Sequence, residues 1–255
     1  MKVLVLAGTG DGREVAQALR ASGLTVIESV AGRTAAARGR SEGDGVRVGG
    51  FGGAEGLAAW LTEHGVGAVM DATHAFAQQM TANAVEACGL AGVPLARWVR
   101  PSWLGRPDAS SWLCVPDHVA AVAAATGKGR VLLTVGRQEL AAYLELPDVI
   151  ARVTEPAPGW VTPPGWELLV ARGPFDLDGE QALMAGRGVH VLVTKDSGGS
   201  STAAKLDAAA ALGVHVVMMT RPADPDGIPQ LSDTDAAVRW AGEVLTAGPG
   251  PRRPR

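Results

Sequence analysis

The sequence predicts an α/β protein of two Rossmann-like lobes, each built on a parallel sheet. Three observations predict it. Short β-branched runs alternate with alanine-rich stretches along nearly all of the 255 residues. That alternation is the mark of parallel strands joined by right-handed helical crossovers covering both sheet faces. It breaks once, over residues 100–112 (RPSWLGRPDASSW), where Pro, Ser, Gly and Trp gather without a period, and then resumes. Two sheets of ordinary width are also more economical than one very wide sheet.

Residues 3–7 read as the first strand, an unbroken apolar run that stops at Gly8. A helix over 11–21 and a strand over 24–30 follow. Residues 54–64 read as a helix with Leu57, Trp60 and Leu61 on one face. A strand over 67–71, a helix over 75–91 and a strand over 93–98 complete the first lobe. The second lobe has expected strands over 130–135, 148–153, 167–171, 189–194 and 214–220. Its expected helices cover 117–126, 178–187, 200–212 and 233–245. The expected division is a nucleotide-binding lobe over 1–99, a linker over 100–112 and a second α/β lobe over 113–247. The tail 248–255 (GPGPRRPR) has no apolar content and reads as disordered.

Composition narrows the function classes. The 34 glycines and 16 prolines are about a fifth of the chain, against roughly 12% in ordinary usage. There is no collagen period, and 47% of residues are hydrophobic, so the excess belongs to turns and close backbone approaches. The formal charge is −3. Setting aside the three arginines among the last four residues leaves 20 basic against 26 acidic residues, a charge of −6. An acidic body argues against nucleic acid as a partner. No apolar run of about 18 residues is present, so no membrane partner is expected. The opening MKVLVLAGTG reads as a strand rather than a leader, and the expected location is cytoplasmic. Cys88 and Cys114 form neither a disulfide framework nor a metal cluster, and both read as core residues. The five histidines lack metal spacing, and no catalytic metal is predicted.

Three loops in the first lobe carry the cofactor argument. Gly8-Thr9-Gly10-Asp11-Gly12-Arg13 joins the first strand to the first helix. Backbone N–H groups at a helix start hold anions, and glycine lets a phosphate approach closely. The run is not a full GxGxxG, because Arg13 holds the sixth position, and it lacks the P-loop lysine. An ordinary turn with Asp11 as the helix cap is the alternative. At the end of the second strand, Ser29 and Arg33 favour a 2′-phosphate and hence NADP, while Glu28 is the opposing signal. Gly49-Gly50-Phe51-Gly52-Gly53 opens another helix, with Phe51 either stacking on a ligand ring or packing in the core. Asp71-Ala72-Thr73-His74-Ala75-Phe76 ends a buried strand. Ligands of open parallel sheets bind at that end, so Thr73 and His74 are placed to touch one. Asp71 is a cap or a structural acceptor there, and His74 a candidate proton donor.

The second lobe has three strand-end loops with basic residues. Arg137 lies in TVGRQE, Arg172 in RGPF, and Lys195 in TKDSGGSS, with Lys205 a turn into the following helix. Basic residues gathered on one edge of an acidic body point to an anionic substrate. Ser197 lacks the GxSxG elbow of a nucleophile.

Taken together and in this order, LAGTGDGRE, AGRT, GGFGG, DATHAFAQQMTANA, RGPF and TKDSGG resemble the precorrin-6A reductase family over roughly residues 1–245. The resemblance implies two Rossmann-like lobes with an active-site cleft between them. It implies NADPH as the cofactor and reduction of one double bond of a cobalamin-precursor macrocycle, precorrin-6A or its cobalt form, to the 6B form. By that resemblance Gly8, Thr9, Gly10, Asp11, Gly12 and Arg13 hold the pyrophosphate, and Ser29, Arg33 and Thr34 the 2′-phosphate. Gly52, Gly53, Thr73, His74 and Phe76 line the nicotinamide side. Arg137, Arg172, Lys195, Ser197, Gly198, Gly199 and Lys205 face a tetrapyrrole with peripheral carboxylates. Two positions depart from the family pattern: Ala75 where Pro is common and Asp196 where Asn is frequent. A further carboxylate at Asp196 argues against its contact with an acidic substrate. Neither the acid of the reaction nor the oligomeric state is read from the sequence. The rival classes are an NADP-binding regulatory sensor without reductase activity, which leaves the basic loops idle, and a dehydrogenase of small sugars or acids.

Overall fold

The computed structural model describes residues 1–8, 10–32 and 45–247. The described chain divides into two compact units, one of residues within 1–99 together with 223–247, the other Arg100–Pro222.

In the first unit, β1 (Lys2–Ala7), β2 (Thr25–Val30), β3 (Val46–Val48), β4 (Val66–Ala72), β5 (Leu95–Trp98) and β12 (Gln230–Leu231) form one sheet. Its order is β3-β2-β1-β4-β5-β12, with every pairing parallel. This is the strand order of a dinucleotide-binding fold, with its sixth position filled from late in the sequence. Successive side chains of a strand point to opposite faces, and β1 shows why both faces must be covered. Val3 and Val5 pack with Val15 and Leu19 of α1 (Gly10–Ala21) and with Ala237 and Ala241 of α7 (Thr234–Ala247). Leu4 and Leu6 pack with Leu57 and Leu61 of α2 (Ala54–Glu63) and with Ala84 and Ala87 of α3 (Gln78–Ala91).

The second unit repeats the order. β6 (Leu113–Val115), β7 (Val131–Leu133), β8 (Val149–Val153), β9 (Trp166–Val170), β10 (Val191–Lys195) and β11 (His215–Met219) pair in parallel as β9-β8-β7-β10-β11-β6. Leu132, Ile150, Leu192 and Met218 build one core with Met184 of α5 (Leu177–Gly186) and Leu206 of α6 (Ala204–Leu212). α4 (His118–Ala125) begins on an Asp117 cap, whose carboxylate accepts from the Ala120 N–H, and buries Ala121, Val122 and Ala125.

Two expected boundaries are corrected. Residues 100–112 are not a linker. Trp103 and Trp112 are buried in the second core, and short 3-10 turns cover Trp103–Gly105 and Pro107–Ser111. Residues 223–247 do not belong to the second lobe. Gln230 and Leu231 extend the first sheet beside Arg97 and Trp98, and α7 covers its α1 face. Cys114 is also corrected: it lies exposed on edge strand β6, whereas Cys88 is buried as expected. The tail 248–255 lies outside the described residues. Among the described residues no helix is long and apolar enough to cross a membrane.

Candidate cofactor and substrate loops

Each sheet has one place where the strand order reverses, and ligands of such sheets bind beyond the strand carboxyl ends at that place. In the first unit it lies between β1 and β4.

The turn after β1 divides its glycines between two tasks. A Cβ on Gly12 would lie 3.0 Å from both Cα and Cβ of Ala7 and 3.4 Å from the Ala72 carbonyl. Only glycine lets α1 press so closely on the ends of β1 and β4. Gly8 and Gly10 face open space, since a Cβ on either meets nothing within 4 Å. The start of α1 therefore presents accessible backbone next to the reversal, with Asp11 half-buried and Arg13 exposed. Thr9, Arg33 and Thr34 lie outside the described residues.

Ser29 is buried near the end of β2. Glu28 is buried on the α1 side, where Arg20 Nη1 stands 3.9 Å from its carboxylate. The opposing signal is thus engaged inside the protein, two residues short of the strand end.

The glycine loop before α2 adopts left-handed backbone at Gly49, Gly52 and Gly53, with φ of +117°, +82° and +95°. Gly56 is steric, because a Cβ there would sit 1.9 Å from the Phe51 carbonyl. The Arg47 guanidinium lies 3.7 Å from the Phe51 ring centroid and donates to the carbonyls of Gly49 and Gly50. Trp60 meets the same ring edge-on at 5.4 Å. Phe51 is therefore a packing residue that shapes the loop. Gly52 and Gly53 meet nothing within 4 Å. α2 and α3 lie side by side on one face of the sheet, so this loop and residues 73–77 open onto the same edge.

The loop after β4 is tied down by Asp71. Its Oδ1 accepts from the Thr73 N–H at 3.1 Å and the Thr73 hydroxyl at 2.6 Å, and its Oδ2 accepts from the Thr81 hydroxyl at 2.7 Å. Arg97, also buried, donates to Thr81 and stands 3.8 Å from Asp71, while its Nε meets Asp224 at 3.0 Å. Asp71 is thus the structural acceptor, and Thr73, His74 and Phe76 are left half-exposed at the edge. His74 Nδ1 accepts the Phe76 N–H at 3.2 Å. With Nδ1 accepting, Nε2 is the ring nitrogen left to donate.

In the second unit the order reverses between β7 and β10. Arg137 is half-buried and donates to Glu155 and to the Pro156 carbonyl. Arg172 is exposed. Lys195 ends β10, half-buried, and its carbonyl accepts the Ser197 N–H in a tight turn. Burial lowers the Lys195 ammonium below its usual value, and Glu139 acts against that.

Three expected rim residues are instead built into the fold. A Cβ on Gly198 would fall 2.5 Å from the Pro101 carbonyl and 2.4 Å from the Arg221 guanidinium, and Gly199 presses on Arg100. Lys205 is 4% exposed. Its ammonium donates to the Thr202 carbonyl and sits 4.4 Å over the Trp103 ring, near the buried Arg152–Glu180 ion pair. Burial, and next to it Arg152, lower Lys205 to about 7. Asp196 is internal too, as the charge argument expects. It accepts from the Ser102 hydroxyl at 2.6 Å and the Trp103 N–H at 2.8 Å and pairs with Arg221 at 3.1 Å.

A cluster that sequence reasoning missed lies at the same strand ends. His118 Nδ1 is 2.8 Å from the Tyr143 hydroxyl, and His118 Nε2 is 3.4 Å from the Glu139 carboxylate. Tyr143 is fully buried, and burial raises its phenol. Burial lowers His118, with Glu139 opposing and Lys195 adding to the effect. The available signal was positional: Glu139 follows one of the strands that flank the reversal and Lys195 ends the other.

Comparison with known proteins agrees with this architecture. The family described as precorrin-6x reductase CbiJ/CobK matches over residues 2–242. A precorrin-6A reductase of Rhodococcus erythropolis is 43% identical over 95% of this chain and 98% of its own length. A precorrin-6A reductase of Mycobacterium tuberculosis is 41% identical over 94% and 96%. The solved structure of a CobK precorrin-6A reductase superposes with a TM-score of 0.86 at 36% identity, covering 96% of this chain and 97% of that one. The repeated sheets, the glycine turn at the first reversal and this similarity along the whole length make the chain a member of the precorrin-6x reductase family.

Proposed function

We propose that this chain catalyses reduction of the precorrin-6A macrocycle, metal-free or cobalt-bearing, by NADPH in the cytoplasm. The observation that carries the reading is the turn after β1. Gly12 seats α1 against β1 and β4, while Gly8 and Gly10 leave backbone open at the helix start. That arrangement suits a pyrophosphate, which Thr9, Asp11 and Arg13 would also contact.

NADPH supplies a hydride when bound. Gly52, Gly53, Thr73, His74 and Phe76 would hold its nicotinamide, and His74 Nε2 would donate a hydrogen bond there. Support for NADPH over NADH comes from Glu28, which is paired with Arg20 and buried rather than offered to a ribose hydroxyl. Ser29, Arg33 and Thr34 would take the 2′-phosphate. Arg137, Arg172, Lys195 and Ser197 would meet the peripheral carboxylates. Contact through the periphery would make no demand on the centre of the ring, so it would be the same for both substrate forms. Catalysis would rest on holding the hydride donor against the macrocycle at near-attack distance.

Arg33→Ala tests the cofactor half. The Kd for NADPH should rise at least about tenfold, the loss of roughly one charge-assisted contact, with the Kd for NADH unchanged. Equal losses for both cofactors would refute the 2′-phosphate role.

A further inference from the structure

Reduction of a carbon–carbon double bond consumes one proton for each hydride. His74 has its Nδ1 engaged as an acceptor of the Phe76 N–H. The second unit holds a better set. Lys195 ends β10 beside the reversal of strand order, in a loop assigned above to the substrate. Glu139 follows β7, the other strand of that reversal, and its N–H donates to Gly136. His118 opens α4 and joins Glu139 through Nε2 and Tyr143 through Nδ1. Glu139 and Tyr143 from one turn thus meet His118 at one edge, with Asp117 beside them and Lys195, at the end of β10, in electrostatic reach of both Glu139 and His118.

We propose that Lys195 delivers the proton that balances the hydride, and that Glu139 and His118, with Tyr143 behind them, return a proton to it from solvent. This rests on the reductase reading above. As hydride forms a C–H bond at one carbon of the double bond, the π electron pair moves to its neighbour. That carbon takes an N–H proton from Lys195, and the neutral amine left behind is reprotonated through Glu139 and His118. Glu139 also holds Lys195 as the ammonium, and the half-buried position keeps that ammonium a stronger acid than an exposed one.

The decisive variant is Lys195→Arg. Guanidinium keeps the positive charge for a carboxylate but does not release a proton near neutral pH. Turnover with NADPH and precorrin-6A should fall by about 10²- to 10⁴-fold in kcat, with KM within a few-fold of the wild type. A kcat near the wild-type value overturns the proposal. The wild-type protein in heavy water gives a measurement independent of folding. A slowed single-turnover reduction with one proton in flight is expected, and no solvent isotope effect on that step overturns the donor role. His118→Gln tests the relay: kcat should drop and recover on adding imidazole, and no drop, or a drop that imidazole leaves unchanged, removes His118 from the path. A wild-type protein that binds NADPH but does not turn over refutes the reductase reading itself and this inference with it, whereas an active wild type beside an equally active Lys195→Arg refutes the inference alone.

Discussion

Gly12 and Lys205 show what single residues do beside the site and within the core. A methyl group on Gly12 meets backbone and side chain of Ala7 rather than the flexible end of a long side chain. Gly12→Ala should therefore cost about 1–3 kcal/mol and weaken NADPH binding, as read by thermal unfolding with and without cofactor. A variant as stable as the wild type would show that α1 has room to move away. Lys205 gives a pH dependence of definite sign. Its amine is lowered from an ordinary 10.5 to about 7 in the folded chain. Between those two values the unfolded chain binds more protons than the folded one, so stability rises with pH across that window. Below about 7 both states are protonated and this contribution levels off. The thermal midpoint should climb from pH 7 to pH 9 in the wild type, and Lys205→Met should remove that climb. An unchanged slope in the variant would place the titrating group elsewhere. Residue identity gave the glycine turn and the conflict at Asp196. The burial of Lys205 was not legible, because its partners Trp103, Arg152 and Glu180 are distant in sequence.

Among the elements, long apolar runs were legible and short ones were not. β1, β4, β8 and β10 match their expected strands because five to seven residues suffice to show an apolar run with turn signals at its ends. β3, β6 and β12 contain three, three and two residues, too few to show any period. Each still matters, since β3 leads directly into the glycine loop and β12 closes the first sheet. The Asp71–Thr81–Arg97–Asp224 network links α3, β4, β5 and the segment leading to β12. Arg97→Met removes one partner and leaves Asp71 buried beside Thr81. A loss of about 3–5 kcal/mol is expected in denaturant unfolding, together with loosening of residues 73–77 seen as faster amide exchange. Exchange unchanged in that loop would mean that Asp71 alone holds it.

For the whole molecule, two lobes were predicted and two units with identical strand order are found. What sequence order concealed is that each sheet takes its sixth strand from outside its own consecutive run. β12 returns to the first sheet after the second is complete, and β6 precedes the core of the second. Sequential elements are neighbours often enough that a reader assigns residues 223–247 to the lobe they follow. A fragment of residues 100–222 should consequently unfold cooperatively on its own. Residues 1–99 alone should not, because the α1 face that Ala237 and Ala241 cover would stand exposed beside an unpaired β5. Adding a 223–247 peptide in trans should restore a cooperative transition in the 1–99 fragment. The central claim, that these two sheets serve a macrocycle reduction, is tested most directly by mixing the purified chain with NADPH and precorrin-6A under anaerobic conditions. The account predicts loss of the dihydronicotinamide absorbance in step with a product two hydrogens heavier than the substrate. NADPH binding without such a product, from precorrin-6A and from its cobalt form alike, would contradict it.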